Sequence, residues 1–404
     1  MKVLLINNFY YLRGGSETVY FKTGQLLKEY GHEVVWFSLS NPDNYDCEYS
    51  NFFADSGNGI NRMKNYFYNR DVVEKLSALI EREKPDIAHV HLFWGGIGPS
   101  LFVALKKYDV PLVHTVHDYR MICPAYTLRN GHGVICEKCK GDSYYQCVIN
   151  KCCKGSLAKS LMMSLEMYWR NCRFSPLLNI DAMIYVSSFI RDMHIRFDPG
   201  FANVYNEVIY NPVKGLDNPY TDFENYFLYY GRLSSEKGVD TLLEAASLRP
   251  DISFKIVGKG PEEDNLKKKA SLKGLNNVVF IGFKSGYELI DIVKNALFVI
   301  VPSEWYESLG LTVVEPYSMG RPVIAASIGG LAEIVDNNKT GFLFEPGNVS
   351  SLVQAIDLAF SLPREKVIKM GENAYDYYLC HFKEEDYIQK VVNLYNRVIE
   401  KHSE

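Results

Sequence analysis

Strand and helix patterns alternate along this chain in two separate series, and this alternation constrains the fold more than any other feature. The first series contains apolar runs typical of buried strands, which are Lys2–Ile6, Glu33–Ser38, Ile87–His91, Leu112–Val116 and Ala182–Val186. The second series contains Phe227–Tyr230, Ser253–Val257, Val278–Ile281, Leu297–Val301 and Pro322–Ala325. Because helical patterns lie between these runs, the strands are expected to pair in parallel, which predicts an α/β fold.

A stretch rich in Asn, Pro and Gly, Asn211–Pro219, separates the two series. The length of 404 residues also favours two domains over one compact core. We predict a first domain over residues 1–211, with a Cys-rich insertion at 120–155, and a second domain over 212–383. Residues 384–404 are predicted to form a helix whose packing partner stays open. Ligands of doubly wound domains bind outside the carboxyl ends of the strands, so the chemistry is expected in those loops and in a cleft between the domains.

Composition narrows the classes of function. The net charge of -4 argues against nucleic acid as the main partner, because binding to its phosphates needs clustered Lys and Arg. The longest apolar run, Ala296–Val301, is far shorter than the roughly 18 residues of a membrane-spanning helix. The first predicted strand is too short for the apolar core of a signal peptide. These features predict a cytoplasmic enzyme.

A Gly-Gly turn follows the first predicted strand. Gly14 and Gly15 allow the backbone to approach a ligand closely, and the helix after them presents unpaired N–H groups to an anion. The same two residues are also explained by a plain turn. The turn therefore suggests a phosphate contact without requiring one.

Two cations follow the first strand of the second series. Arg232 and Lys237 lie in a loop just past the carboxyl end of that strand. Two positive charges at this place can neutralise a diphosphate while its bond to a sugar breaks. A solvated loop with two incidental charges is the alternative.

Two glutamates, Glu307 and Glu315, follow a later strand of the same series. Glu307 is predicted to lie in a loop that faces the ligand, and Glu315 on the helix after it. Proline is tolerated only near a helix start, so Pro316 predicts that this helix begins at about Leu311 or Thr312. Carboxylates accept hydrogen bonds from sugar and ribose hydroxyls, and N–H groups at the helix start would face an anion. The residues of that start are Ser308, Leu309, Gly310 and Leu311.

Taken in order, these motifs resemble the retaining family 4 glycosyltransferases of the GT-B fold over nearly the whole chain. Other matching segments are His117-Asp118, Gly320–Ile324, Gly329–Val335 and Thr340–Leu343. The resemblance implies two Rossmann-like domains that face each other across a cleft and a nucleotide-sugar donor. It implies transfer of the sugar, with retention of anomeric configuration, to a glycan or lipid-linked acceptor in cell-surface polysaccharide biosynthesis. Catalysis is implied to need no cofactor.

The resemblance also assigns roles in the second domain. Arg232 and Lys237 would hold the diphosphate leaving group. Glu307 would bind hydroxyls of the donor sugar, and Glu315 would bind the ribose of the nucleotide. None of these residues is expected to be a covalent nucleophile.

In the first domain, the resemblance places Gly14 and Gly15 at the donor phosphates. His117 would lie beside the sugar, near the reacting carbon. A structural histidine after a strand is the alternative for His117.

Two other function classes fit the same motifs. One is a GT-B-fold epimerase or phosphorylase that acts on the same kind of ligand. The other is a non-catalytic partner that binds sugar nucleotide. Such a partner would be expected to have lost one of the charged residues, yet all four are present, which are Arg232, Lys237, Glu307 and Glu315.

Six of the nine cysteines lie between Cys123 and Cys153. Their spacing suits a tetrahedral zinc site, and we predict a structural zinc outside the donor motifs. The predicted ligands are Cys136, Cys139, Cys147 and Cys152. Cys123 or His132 would be substitutes, and buried thiols or a redox pair are the alternatives.

Basic and apolar residues alternate after the cysteines, over residues 154–173. An amphipathic helix of this kind can lie on an anionic membrane surface, near a lipid-linked acceptor. This predicts a peripheral position on the inner face of the membrane. A helix whose apolar side packs on the core is the alternative.

Overall fold

The computed structural model describes residues 1–403, and the chain divides into two compact units. Unit 1 contains Met1–Pro212 together with the C-terminal residues from Glu384 onward. Unit 2 contains Val213–Lys383. The chain passes from one unit to the other inside the segment rich in Asn, Pro and Gly.

Unit 1 is built on a parallel sheet with the strand order β2-β1-β3-β4-β5-β6. Its strands are β1 (Lys2–Ile6), β2 (Glu33–Phe37), β3 (Ile87–Val90), β4 (Leu112–Val116), β5 (Ala182–Tyr185) and β6 (Tyr205–Val208). The first five were predicted from their apolar runs, which are buried on both faces. The edge strand β6 was missed, because its residues are partly polar and none of them is fully buried.

Helices cover this sheet. They are α1 (Gly15–Glu29), α2 (Gly59–Phe67), α3 (Arg70–Glu83), α4 (Ser100–Lys107), α5 (Tyr145–Ile149), α6 (Leu157–Arg173), α7 (Pro176–Asn179) and α8 (Ser188–Phe197). Short 3₁₀ turns occur at Ser50–Phe52 and Pro199–Asn203. The strand order changes direction at β1, so the carboxyl ends of β1 and β3 border the switch point where such sheets bind ligands.

Unit 2 repeats the architecture, with the strand order β12-β11-β10-β7-β8-β9 and parallel pairing throughout. Its strands are β7 (Tyr226–Tyr230), β8 (Ser253–Val257), β9 (Val278–Gly282), β10 (Phe298–Val301), β11 (Val323–Ala326) and β12 (Gly341–Phe344). The order changes direction at β7. The switch point of unit 2 therefore lies at the carboxyl ends of β7 and β10.

Eight helices in residues 213–403 accompany this sheet or follow it. They are α9 (Val239–Leu248), α10 (Glu263–Leu272), α11 (Gly286–Lys294), α12 (Leu311–Tyr317), α13 (Leu331–Ile334), α14 (Val349–Phe360), α15 (Arg364–His381) and α16 (Glu384–Ser403). A 3₁₀ turn lies at Ser235–Lys237.

Helix α12 starts at the predicted place, Leu311. Pro316 lies inside it and cannot donate to the carbonyl of Thr312 four residues earlier. The hydroxyl oxygen of Tyr230 lies 3.4 Å from that carbonyl oxygen, while its proton is donated to Glu315 at 2.7 Å. The proline is accommodated without disturbing the helix start.

The terminal helix α16 packs in unit 1 against α1 and the sheet. The hydroxyl of Tyr387 lies 2.7 Å from that of Thr23, and the hydroxyl of Tyr395 lies 2.5 Å from Nδ1 of His89. Lys22 and Glu384 form an ion pair at 3.0 Å. The packing partner that the sequence left open is thus the first domain. None of the helices in residues 1–403 is both long and apolar enough to cross a membrane.

Candidate active site

The charged motifs of unit 2 meet at its switch point. Arg232 and Lys237 follow β7, and Glu307 lies in the loop between β10 and α12. These two strands are neighbours in the sheet. The fold therefore brings together residues that are far apart in the sequence, as the sequence analysis predicts.

The loop after β7 has a tight backbone and one free cation. Gly231 has φ +146°, which L side chains rarely adopt, and Gly258 packs directly on its carbonyl. The hydroxyl of Tyr229 donates to the carbonyl of Arg232 at 2.8 Å. The Arg232 side chain is exposed and has no hydrogen bond or ion pair to any residue within 1–403. Its charge is therefore available to a ligand.

Lys237 is paired with Glu307. Its Nζ lies 2.5 Å from Oε1 of Glu307, and 5.5 Å from the centre of the Trp305 ring. The Ser303 hydroxyl donates to the same oxygen at 2.8 Å. Gly238 ends the Lys237 turn with φ +66°, where a side chain would collide with the carbonyl of Pro302. The turn is thus pressed against the β10 loop, which fixes the pair.

The Glu307 carboxyl group is almost completely buried, with 7 % of its surface exposed. Burial disfavours its ionised form, but the charge and hydrogen bond of Lys237 and the hydrogen bond of Ser303 outweigh this. The pKa of Glu307 consequently lies below its usual value. Lys237 and Glu307 therefore form a charged pair at neutral pH.

Glu315 lies on α12 and contacts the end of β7. Tyr230 donates to its Oε2 at 2.7 Å. Burial raises the pKa of Glu315, and the hydrogen bond from Tyr230 opposes this increase. Tyr230 is a residue that the sequence analysis missed. Its position as the last residue of a strand that precedes a charged loop was the available signal.

The start of α12 is shaped by close backbone contacts. Gly310 precedes the helix with φ +99°. The backbone N–H of Gly330 donates to the carbonyl of Glu307 at 2.8 Å, and a side chain at Gly330 would collide with Leu309. Leu309 is buried, with 1 % of its surface exposed. Ser308, Gly310 and Leu311 are partly exposed beside it.

The Gly-Gly turn of unit 1 follows β1. Gly14 caps α1 in an extended conformation, and both Gly14 and Gly15 are exposed. Glu17 in the first turn of α1 is buried, with 2 % of its surface exposed. Burial raises its pKa, against the opposing effects of backbone and Ser16 hydrogen bonds. Glu17 was not predicted from the sequence, although its place in the first helical turn after two glycines was a signal for it.

His117 follows β4, is half-buried and contacts a group of buried histidines. Its Nε2 lies 2.9 Å from Nδ1 of His91, whose own Nε2 is buried without a partner. An unpaired buried N–H is costly, so the favoured arrangement has His91 donating through Nδ1 to His117. The proton of a neutral His117 then lies on Nδ1. Burial, with a smaller effect of His114, lowers the pKa of His117 to about 3, which keeps the ring neutral.

A buried charged network lies behind His117. Arg120 donates to Glu166 at 2.5 Å and to the hydroxyl of Tyr66 at 3.3 Å. The backbone N–H of Arg120 also donates to Asp118 at 2.8 Å. This network joins helix α6 to the loop that carries His117. No local sequence pattern predicts this network, because its hydrogen-bonded partners are up to 54 residues apart along the chain.

The cysteines of the insertion include one close pair of thiols. All of them are free thiols, and Sγ of Cys147 lies 3.8 Å from Sγ of Cys153, which was not among the four predicted ligands. Hydrogen bonds with Cys152 and Cys153 lower the pKa of Cys147. Burial raises the pKa of Cys139. Within residues 1–403, no group of three or more His, Cys, Asp or Glu side chains is arranged to hold a metal ion. Zinc binding through Cys136 and its neighbours stays a prediction.

Comparison with protein families gives two matches that cover most of the chain. Residues 13–214, half of the chain, match the model described as Glycosyltransferase Family 4. Residues 218–377 match the model described as Glycosyl transferases group 1. The boundary between the matches lies next to the boundary between the two units.

Individual proteins are similar over nearly the whole chain. An uncharacterised glycosyltransferase of Methanocaldococcus jannaschii is 25 % identical over 388 residues, which cover 93 % of each chain. An uncharacterised 42.6 kDa protein in the cps region of Klebsiella pneumoniae is 27 % identical over 360 residues, which cover 83 % of this chain and 87 % of that protein.

The fold is similar to that of a solved structure, the Anabaena protein HepE in complex with UDP. The TM-score is 0.70 at 18 % sequence identity, and the superposition covers 98 % of this chain and 100 % of HepE. HepE has also been solved in complex with UDP-glucose.

Proposed function

Because the chain belongs to the glycosyltransferase family that these two models describe and has the GT-B fold, we propose that it is a retaining enzyme of family 4 that transfers a hexose from a nucleotide-sugar donor. The acceptor in this proposal is a glycan or a lipid-linked glycan of cell-surface polysaccharide biosynthesis. The reaction takes place on the cytoplasmic side of the membrane. The similarity to a protein of the Klebsiella cps region is consistent with this setting.

One observation carries the proposal: a free arginine and a lysine–glutamate pair occupy the same switch point. Arg232 has an unpaired guanidinium, while Lys237 is held at 2.5 Å from Glu307. A guanidinium binds two phosphate oxygens at once, and an ammonium group has three N–H donors. Lys237 uses one of them for Glu307, so others remain for a ligand. This chemistry suits an anion bound beside a hydroxylated group, which is what a sugar diphosphate presents.

In the proposed reaction, the diphosphate leaves from the anomeric carbon while negative charge grows on its oxygens. Arg232 and Lys237 stabilise this charge from fixed positions, which costs little reorganisation at the moment of bond breaking. The two cations do this work without a catalytic cofactor. Gly14 and Gly15 of unit 1 contribute backbone N–H groups to the phosphates in this proposal.

The two glutamates hold the rest of the donor. Lys237 and Ser303 both bind Oε1 of Glu307, so we assign its Oε2 to hydroxyls of the donor sugar. Glu315 binds the ribose, and the N–H groups from Ser308 to Leu311 face the phosphates. Each contact fixes the anomeric carbon in position for the acceptor hydroxyl.

His117 contacts the sugar beside the reacting carbon. Its low pKa makes it a neutral ring, and the hydrogen bond with His91 leaves its Nδ1–H as a donor. A neutral donor suits a sugar hydroxyl better than a proton-transfer step. We therefore assign His117 to positioning of the sugar and not to acid–base catalysis.

The proposal is tested first by donor binding. The protein is incubated with UDP-, GDP- and ADP-sugars, beginning with UDP-glucose, and its melting temperature is recorded. We expect one nucleotide class to raise the melting temperature in the wild type and to fail to do so in Arg232→Gln. A GT-B epimerase or a non-catalytic partner would also bind, so transfer to an added acceptor is then measured. Binding without transfer to any glycan or lipid-linked acceptor would favour those alternatives.

A further inference from the structure

Helix α6 presents an apolar stripe to the solvent and a polar face to the protein interior. Its exposed large residues recur every three or four positions on one side of the helix. They are Leu157, Leu161, Leu165 and Tyr168, with 56, 47, 51 and 40 % of their surface exposed. The buried residues of the same helix are Ser160, Ser164, Glu166, Met167 and Arg170. This is the reverse of an ordinary surface helix, whose apolar side faces the core.

The polar face of α6 is anchored inside unit 1. Glu166 accepts from the buried Arg120 at 2.5 Å, and the guanidinium of Arg170 lies 4.2 Å from the centre of the Trp94 ring. The hydroxyl of Ser164 donates to the carbonyl of Tyr144 at 2.9 Å. The inner face therefore anchors the helix to unit 1 through polar contacts.

Neighbouring helices extend the apolar surface. Phe67 at the end of α2 packs on Trp169 of α6 with ring centres 5.8 Å apart, so α2 lies beside α6. No residue of α2 is buried, and its Ile60 and Met63 have 72 and 56 % of their surface exposed. Ile149 at the end of α5 is 67 % exposed. Because α2 and α5 both pack against α6, we group the exposed apolar residues of these three helices as the α2–α6 surface.

Most exposed charges on and beside the α2–α6 surface are positive, and the exposed Asp55 and Asp142 lie at its borders in the sequence. Residues 56–70 contain no acidic residue, and the one acidic residue in 143–175 is the buried Glu166. The exposed cations in these segments are Arg62, Lys64, Arg70, Lys151, Lys154, Lys159 and Arg173. Within the described chain, none of them forms an ion pair. An apolar stripe flanked mainly by cations, seven of them unpaired within residues 1–403, matches the boundary between anionic headgroups and acyl chains.

We propose that the α2–α6 surface docks unit 1 on an anionic lipid bilayer. The leucines and aromatic side chains enter the boundary between headgroups and acyl chains, while the lysines and arginines bind lipid phosphates. A second copy of the chain fits less well, because a symmetric contact would bring the same cations against each other. Arg120 and Glu166 connect α6 to the loop of His117, so a docked α6 holds that loop near the membrane. This goes beyond the proposed transfer reaction and does not depend on it.

The experiment is co-sedimentation of the full chain with lipid vesicles, which involves neither donor nor acceptor. The vesicles contain phosphatidylcholine alone or with 30 % phosphatidylglycerol. The variant Leu161→Ser/Leu165→Ser is compared with the matched control Leu248→Ser/Leu272→Ser, whose leucines are 59 and 78 % exposed in unit 2. A second pair compares Lys154→Glu/Lys159→Glu with Lys268→Glu/Lys366→Glu, which are also exposed lysines. Melting temperatures verify that each variant is folded.

We expect the wild type to bind anionic vesicles and to bind neutral ones at least tenfold more weakly. Both variants of the α2–α6 surface should lose at least fivefold in partition coefficient, while both controls bind like the wild type. Equal binding of the Leu161→Ser/Leu165→Ser variant and the wild type would overturn the proposal. The proposal would also be overturned if the wild type did not bind vesicles and light scattering showed it to be a dimer while the Leu161→Ser/Leu165→Ser variant was a monomer. The surface would then join two chains. A failed transfer assay would leave all these outcomes unchanged.

Discussion

Replacing Lys237 with methionine separates the structural and chemical roles of its pair with Glu307. The variant keeps a similar side-chain volume but removes the charge that lies 2.5 Å from a carboxylate with 7 % of its surface exposed. Removal of one partner from a fully buried pair costs about 3–5 kcal/mol, and from an exposed pair about 0–1 kcal/mol. Since the Lys237 side chain is 22 % exposed, we expect an intermediate cost of about 2 kcal/mol.

A loss of this size should lower the melting temperature of unit 2 by about 6 °C, given its size. The double variant Lys237→Met/Glu307→Gln should recover most of this loss, because no unpaired charge then remains buried and Ser303 still has an acceptor. Sugar transfer should not recover. It should fall by roughly 10²–10³ in both variants, since a preorganised cation at the leaving group is missing.

The assay is a double-variant cycle in which thermal unfolding and transfer rate are measured on the same preparations. Lys267→Met is the control, because Lys267 forms an exposed ion pair with Glu263 at 2.6 Å, which contributes about 0.5 kcal/mol or less. Transfer at the wild-type rate in Lys237→Met would refute the role of this cation. A double variant as unstable as the single one would refute the reasoning about the pair.

Further predictions concern the free cation, the buried histidines and the cysteines. Arg232→Gln should reduce transfer by about 10²-fold without changing the melting temperature, because its side chain has no partner; a large loss of stability would contradict this. Below pH 6.5, histidines of the unfolded chain bind protons, whereas the histidines of folded unit 1 whose pKa is lowered stay neutral. The free energy of unfolding measured in urea should therefore fall by about 1 kcal/mol per histidine between pH 6.5 and 5.5. Equal stability at both pH values would contradict the lowered pKa values of His89, His91, His114 and His117. Metal analysis of the purified chain tests the zinc prediction, with about one zinc per chain expected and none contradicting it.

The sequence predicted the sheets and the elements that carry the charged residues well, for a physical reason. Runs such as Leu112–Val116 and Phe298–Val301 are short and apolar because both faces of a parallel strand are buried. The carboxyl ends of such strands are where loops reach ligands, so charged residues that follow them mark the site. Glu307 in the loop and Glu315 on α12 confirm this part of the prediction.

The contacts between side chains could not be predicted in the same way. Lys237 and Glu307 are 70 residues apart, and their pairing follows from strand order and not from any local pattern. The packing of α16 on unit 1 could not be predicted from a local pattern either. Its Tyr387 and Tyr395 contact Thr23 and His89, which lie more than 300 residues earlier in the chain. Helix α6 shows the limit most clearly. Its alternation of basic and apolar residues is visible in the sequence, but only the structure shows that the leucines face outward.

The central claim is that the chain transfers a sugar from a nucleotide with retention, using Arg232, Lys237 and Glu307. Proton NMR of the reaction mixture tests it most directly, because one spectrum reports the released nucleotide and the anomeric configuration of the product. With the nucleotide sugar that binds and a glycan or lipid-linked acceptor, we expect release of the nucleotide. We also expect the anomeric coupling constant of the product to indicate the same anomeric configuration as that of the donor. A coupling constant that indicates the opposite anomeric configuration would contradict the claim, and so would turnover at the wild-type rate in Lys237→Met.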